Sequence, residues 1–236
     1  MKTYRKIAII VGVLFIIGTV AGILSAVFLN PILGDPDYLA KTAENKNQVI
    51  IGVLFVLTMG LALAMVPVTI FPVLKKHNET LAVGYVVFRG GLETVTYILL
   101  AISQLALIPL SQEYIKAGTS GTPYFQAIGN LLMGVQNSVN NILIIVFCLG
   151  ALMFYSLLYR SKLTPRWLSG WGLVAILLHF STSFLLMFAI IEDWSPILMG
   201  LNLLILLQEM VMAVWLIVKG FNPSAIAFGY AKTDIN

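Results

Sequence analysis

Four ionisable side chains stand inside otherwise apolar stretches of this chain: Arg89, Glu93, His179 and Glu209. Each costs several kcal/mol against hydrocarbon unless it is paired or wetted, so these are the residues with chemistry to offer. Arg89 and Glu93 are four apart, which puts them on one helix face where they can pair. Arginine preceding glutamate is the weaker order for that contact, and it leaves capacity on the guanidinium. A planar guanidinium fork can serve two carboxylates, so Glu209 is the natural second partner. One arginine and two glutamates leave a net charge of −1, balanced either by a proton on one glutamate or by His179. Gln208 and Asn202 could add neutral donors, and Gly90–Gly91 beside Arg89 permits a close neighbour or a bend. Two readings compete: a polar site for a ligand, ion or proton, or a buried ion-pair network that sets helix register. His179 taken alone reads as a hydrogen-bonded core residue.

The elements that must position these charges are membrane helices. Apolar residues make up 59% of 236 and charged residues only 10%. A soluble domain of that size cannot hide so much apolar surface. The fold class expected is an all-α, polytopic bundle of six transmembrane helices forming a single domain over 1–236. The spans fall at about 7–29, 49–74, 81–109, 138–159, 168–191 and 197–218. The first, 23 residues long, exceeds a signal-peptide core and reads as a retained span. Pro31 is expected to follow the first span, Pro109 to end the third and Pro196 to open the sixth. Pro67 and Pro72 should kink or fray the second. Gln126, Asn130, Asn137 and Asn141 recur at helical spacing, which suggests an amphipathic surface helix over 125–137. Gly18, Gly22 and Ala26 form a small-residue stripe suited to packing within the bundle.

Orientation follows from lysine and arginine. Alternate connections carry Lys2, Arg5 and Lys6; Lys75 and Lys76; Arg160, Lys162 and Arg166; and Lys219 with Lys232. The other side holds Lys41, Lys46 and Lys116 among Asp35, Asp37, Glu44, Glu113, Glu192 and Asp193. The positive-inside rule then places both termini in the cytoplasm. Trp167, Trp171, Trp194 and Trp215 fall near span ends, where an amphipathic ring sits among headgroups. Depth then matches across the bundle. Arg89 lies about 12 Å along the third span from that side, and Glu209 about 13 Å along the sixth, at ~1.5 Å per residue. His179 lies roughly 16 Å along the fifth. Arg89 and Glu209 should therefore meet, with Glu93 nearby. Glu93 and Glu209 each stand 12 residues into their spans, a faint sign of inverted halves.

Other function classes lack their residues. The net charge of +4 is distributed over helix ends and forms no patch for nucleic acid. The single cysteine, Cys148, sits in an apolar run and reads as an inert buried thiol. No phosphate-binding GxxxxGK[ST] loop, no HExxH zinc motif and no Gly-x-Ser with a depth-matched histidine occurs, and His179 near Ser181 and Ser183 is too generic to count, so neither catalysis, a cofactor nor a metal is expected. The partners expected are the bilayer itself and anionic headgroups, met by Lys75, Lys76, Arg160, Lys162 and Arg166.

Three segments carry a family resemblance: Val87-Phe88-Arg89-Gly90-Gly91-Leu92-Glu93, the run from Tyr159 to Leu168 (YRSKLTPRWL), and Glu209 followed by Trp215-Leu216-Ile217-Val218-Lys219-Gly220. Together they resemble the bacterial membrane family catalogued as domain of unknown function 4386. The resemblance implies a multi-pass protein of the bacterial cytoplasmic membrane and no particular activity. The residues themselves suggest a small transporter or ligand-binding membrane protein. The alternative is a non-enzymatic scaffold or regulator whose buried charges are structural.

Overall fold

The computed structural model describes residues 2–191 and 196–227, without the side chains of 119–121 and 197. Glu192, Asp193, Trp194 and Lys232 lie outside the described residues. Six helices are long and apolar enough to cross a membrane, and no strand occurs among the described residues. The helices are α1 (Lys2–Leu33), α2 (Tyr38–Glu44), α3 (Lys46–Leu74), α4 (Glu79–Gly118), α5 (Thr122–Ser161), α6 (Arg166–Met187) and α7 (Pro196–Val218). All but the short α2 are spans.

The spans pack as a ring in chain order. α1 lies on α3, α3 on α4, α5 on α6, α6 on α7, and α7 closes back onto α1. Lipid offers no hydrophobic drive for this, because acyl chains are as apolar as leucine; close van der Waals contact must hold the helices. Glycines make that contact. A Cβ on Gly18 or Gly22 of α1 would strike Leu63 or Met59 of α3, and one on Gly12 would strike Ala213 and Ile217 of α7. The α1 stripe therefore packs within the bundle, as expected. At Gly150 of α5 the neighbour is α4 itself, with the Arg89 backbone nitrogen 3.2 Å from a Cβ position.

Boundaries differ from the expected spans where composition misleads. Pro31 and Pro109 neither follow nor end their helices; both lie inside them. Pro67 and Pro72 leave α3 continuous. α6 stops at Met187, short of residue 191, because Ala189 turns the backbone to φ 54°. The segment 125–137 is helical but is no separate surface helix. It runs unbroken into the fourth span as the first half of α5. With 40 residues each, α4 and α5 reach about 60 Å at ~1.5 Å per residue, against a hydrocarbon core of about 30 Å. They form a hairpin that projects beyond the apolar slab at the end opposite the basic turns. Its tip is at Gly118, φ 59°. Gln126, Asn130 and Asn137 are exposed there, Asn141 is half-buried, and the Tyr38 hydroxyl of α2 donates to Asn130 at 3.0 Å. Their helical spacing thus marks the wetted face of this projecting hairpin.

At the basic end Arg5 of α1 caps the last turn of α7. Its Nη1 donates to the Leu216 carbonyl at 3.2 Å, and its Nη2 to those of Ile217 at 2.5 Å and Val218 at 3.2 Å. A cation at a helix C-terminus meets both open carbonyls and the negative end of the dipole. Trp167 and Trp215 pack edge-to-face at this end, 6.4 Å between centroids, in the expected belt.

Gly150→Val is expected to destabilise by about 1–3 kcal/mol, because the Arg89 backbone cannot retreat from two added methyls. Gly134 is exposed inside a helix with nothing within 4 Å, so Gly134→Ala should stabilise by up to about 1 kcal/mol. Thermal unfolding of both variants in detergent checks the contrast.

Candidate functional site

Arg89 sits in a π-helical turn, Val86–Leu92, set into α4. Such wide turns loosen the helix ladder and often accompany functional sites. Here the turn contains Gly90–Gly91, and a Cβ on Gly90 would lie 3.3 Å from Pro67 of α3. The glycine thus lets α4 approach a proline-bearing helix that cannot itself move closer.

The wide turn aims the guanidinium into the ring. Arg89 Nη1 lies 3.3 Å from Glu93 Oε2, one turn further along α4. Nη2 donates to Glu209 Oε1 of α7 at 3.1 Å. The guanidinium plane covers Phe147 of α5, with Cζ 4.4 Å from the ring centroid. One arginine thus ties three helices, using both edges of its fork and one face. The two carboxylates are not equivalent. Glu93 is 1% exposed and Glu209 14%. Arg89 Nε and His179 Nδ1 are buried without a hydrogen-bond partner among the described residues, whereas Glu93 is met by Arg89 Nη1 and by the Tyr97 hydroxyl. Hydrogen-bonding capacity therefore exceeds what the neighbouring side chains use.

Arg89, Glu209 and His179, but not Glu93, border a cavity of about 390 Å³. Gly18, Gly22 and Ala26 of α1 line one wall, and Ile205, Leu206 and Glu209 of α7 another. Arg89, Tyr97, Phe147 and His179 complete it. α1 and α7 touch at Gly12 and Ala213; beyond that contact the small residues of α1 face Glu209 across open space. The notch left by Gly18, Gly22 and Ala26 is therefore part of the cavity as well as a packing surface.

His179 reaches the site but not through the ion pairs. It is buried, packs edge-on against Phe147 with centroids 6.0 Å apart, and lines the same cavity. Its Nδ1 has no hydrogen-bond partner among the described residues. Gln208 and Asn202 lie outside the cluster. Gln208 is fully buried and clamps three helices: Tyr155 of α5 donates to its Oε1 at 2.5 Å, and its Nε2 donates to the Leu168 carbonyl of α6 at 3.1 Å. Asn202 is exposed on the outside of α7. Their position in sequence near Glu209 did not reveal which helix face each occupies. Cys148 is buried and free, as expected.

Sequence reasoning missed Tyr97, Phe147 and Gly150. Tyr97 was findable, because it follows Glu93 by four residues on the same face of α4. Phe147 and Gly150 carry no mark that separates them from ordinary packing residues.

A family model described as a domain of unknown function, DUF4386, matches residues 10–220. The chain belongs to the DUF4386 family. No curated protein and no solved structure matches it. The DUF4386 match spans all six helices and every residue of the charged cluster. The family's description assigns no activity.

The geometry sets an order of sensitivity. Arg89→Leu strands two carboxylates and should cost about 3–5 kcal/mol, as breaking a buried pair does. Glu93→Gln should cost more than Glu209→Gln, because Glu93 is more deeply buried. Arg89→Leu with Glu209→Gln should show a coupling energy of about 1–3 kcal/mol in a double-mutant cycle of unfolding in detergent. Simple additivity of the two would contradict the shared contact.

Proposed function

We propose that this chain is a small, non-enzymatic transporter or ligand-binding protein of the bacterial cytoplasmic membrane. Its site is the cavity bordered by Arg89, Glu209 and His179. One observation carries the reading: the ion network opens onto a cavity instead of being sealed, with Glu209 partly exposed to about 390 Å³ of space. A network serving helix register alone gains nothing from an adjoining cavity or from unmet donors and acceptors. The volume suits a compact ligand, and the lining combines apolar walls with few polar groups, as ligand sites do. Formal charge on the triad is −1 with both carboxylates ionised and zero with one proton. A ligand bearing a cationic or hydrogen-bond-donating head on an apolar body complements that arrangement.

A second reading has its own support. Arg89 and Glu93 are 2% and 1% exposed, and the guanidinium is stacked on Phe147, which suits a structural pair in a scaffold or regulator. Orientation belongs to the same proposal. The basic turns support a cytoplasmic location for both termini, with the α4–α5 hairpin on the far side.

Cysteine accessibility separates the two readings. In a Cys148→Ala background, Thr19→Cys and Leu206→Cys line the cavity, Leu131→Cys reports the exposed hairpin, and Val214→Cys faces outward on α7. A membrane-impermeant thiol reagent is expected to label the cavity positions and Leu131→Cys, and to leave Val214→Cys unmodified. Labelling of Leu131→Cys alone would favour the sealed, structural network. Reactivity of Leu131→Cys in intact cells, with no reaction at a cysteine appended to the C-terminus, checks the orientation.

A further inference from the structure

A second polar site lies at the basic end, remote from the charged cluster. Three separate connections converge there on a pocket of about 460 Å³: Lys76 and His77 between α3 and α4, Arg160 in the last turn of α5 with Lys162 just after it, and Asn222 with Ser224 after α7. Leu157 and Ala225 form part of its apolar wall. No carboxylate lines it among the described residues.

The backbone around it is built, not loose. Lys162 takes the left-handed conformation at φ 58°, costly for a side chain with a Cβ and therefore held by its surroundings. Asn222 holds it: Nδ2 donates to the Lys162 carbonyl at 3.2 Å, and the Asn222 amide to the Leu163 carbonyl at 2.9 Å. The Ser224 amide donates in turn to Asn222 Oδ1 at 3.1 Å. Lys76 is steadied by Tyr4, donating to its hydroxyl at 2.9 Å with Nζ over the ring. Asn78 caps the 40-residue helix α4 by accepting from the Leu81 amide at 3.0 Å, and the positive end of that helix opens on the pocket.

Other basic residues of this end are directed elsewhere. Lys75 lies over Phe71, Arg166 over Tyr159, and Arg5 on the α7 carbonyls. The five cations expected at headgroup level thus divide. Lys76, Arg160 and Lys162 share one cavity; Lys75 and Arg166 do not line it.

We infer that this pocket binds a phosphate monoester. Lys162, Arg160 and a helix N-terminus supply the charge that a doubly charged phosphate requires, and the arginine can grip it through two N–H groups. Lipid headgroups and small soluble phosphates share this chemistry. The apolar wall accommodates the organic part of either one.

The test uses the purified full-length protein. Glycerol 3-phosphate is the soluble probe, read as a shift of the unfolding temperature in phosphate-free detergent. Retention of phosphatidic acid over phosphatidylcholine, read by native mass spectrometry, is the lipid probe. At least one probe should bind, and which one identifies the source. Each cation contributes about a fivefold change in affinity, so Arg160→Gln with Lys162→Gln should weaken binding at least tenfold. Lys75→Gln with Arg166→Gln removes the same charge outside the pocket and should change it less than twofold. If the first pair lowers stability without ligand, Ser224→Asp, which adds a carboxylate to the pocket, takes its place with the same expected loss. Binding of neither probe, or equal loss in both pairs, overturns the assignment.

Discussion

The contact on which the rest of the structure depends is one buried guanidinium shared between two carboxylates. Arg89 faces Glu93 on its own helix and Glu209 on the far side of the ring, with Phe147 beneath it. Burying any of these charges alone costs several kcal/mol in a membrane, and together they offset that cost. The arrangement therefore demands that α4, α5 and α7 hold one register. A slide of α7 by one turn would part Glu209 from Arg89 and leave both exposed to apolar surroundings.

The remaining packing serves that register. Gly150 admits the Arg89 backbone against α5, and Gly90 lets α4 close on α3 beside Pro67. Gln208 fixes α7 one residue before Glu209 by bridging Tyr155 and the Leu168 carbonyl. Arg5 pins the α7 terminus to α1. α7 is thus tied at its basic end and its middle. Further along, α1 and α7 are separated by the cavity. The same small-residue stripe that seats α1 on α3 also leaves space beside Glu209.

Polar chemistry is divided between two places of different character. The intramembrane cavity meets one cation, Arg89, and one carboxylate, Glu209, in apolar walls, with Glu93 paired behind them. The pocket at the basic end is lined by cations and by no carboxylate among the described residues, which is the basis of the phosphate proposal. Their chemistries are complementary, and α4 links them through its N-terminus and its π-helical turn.

Apolar run length and the alternation of basic turns dictated six spans, and depth counting from those turns placed Arg89 opposite Glu209. Both follow from one-dimensional rules: about 20 apolar residues per crossing and a fixed rise per residue. Helix ends were less legible, because prolines at 31 and 109 resemble stops while neighbouring helices tolerate them. The projecting halves of α4 and α5 read as loop and surface helix, because polar composition alone does not distinguish a wetted helix from a connection. Which face Gln208, Asn202 and His179 present, the role of Phe147, and the cavity itself are properties of helix rotation. Rotation is set by glycine contacts and interhelical bonds among residues distant in sequence, so only the tertiary structure could decide them.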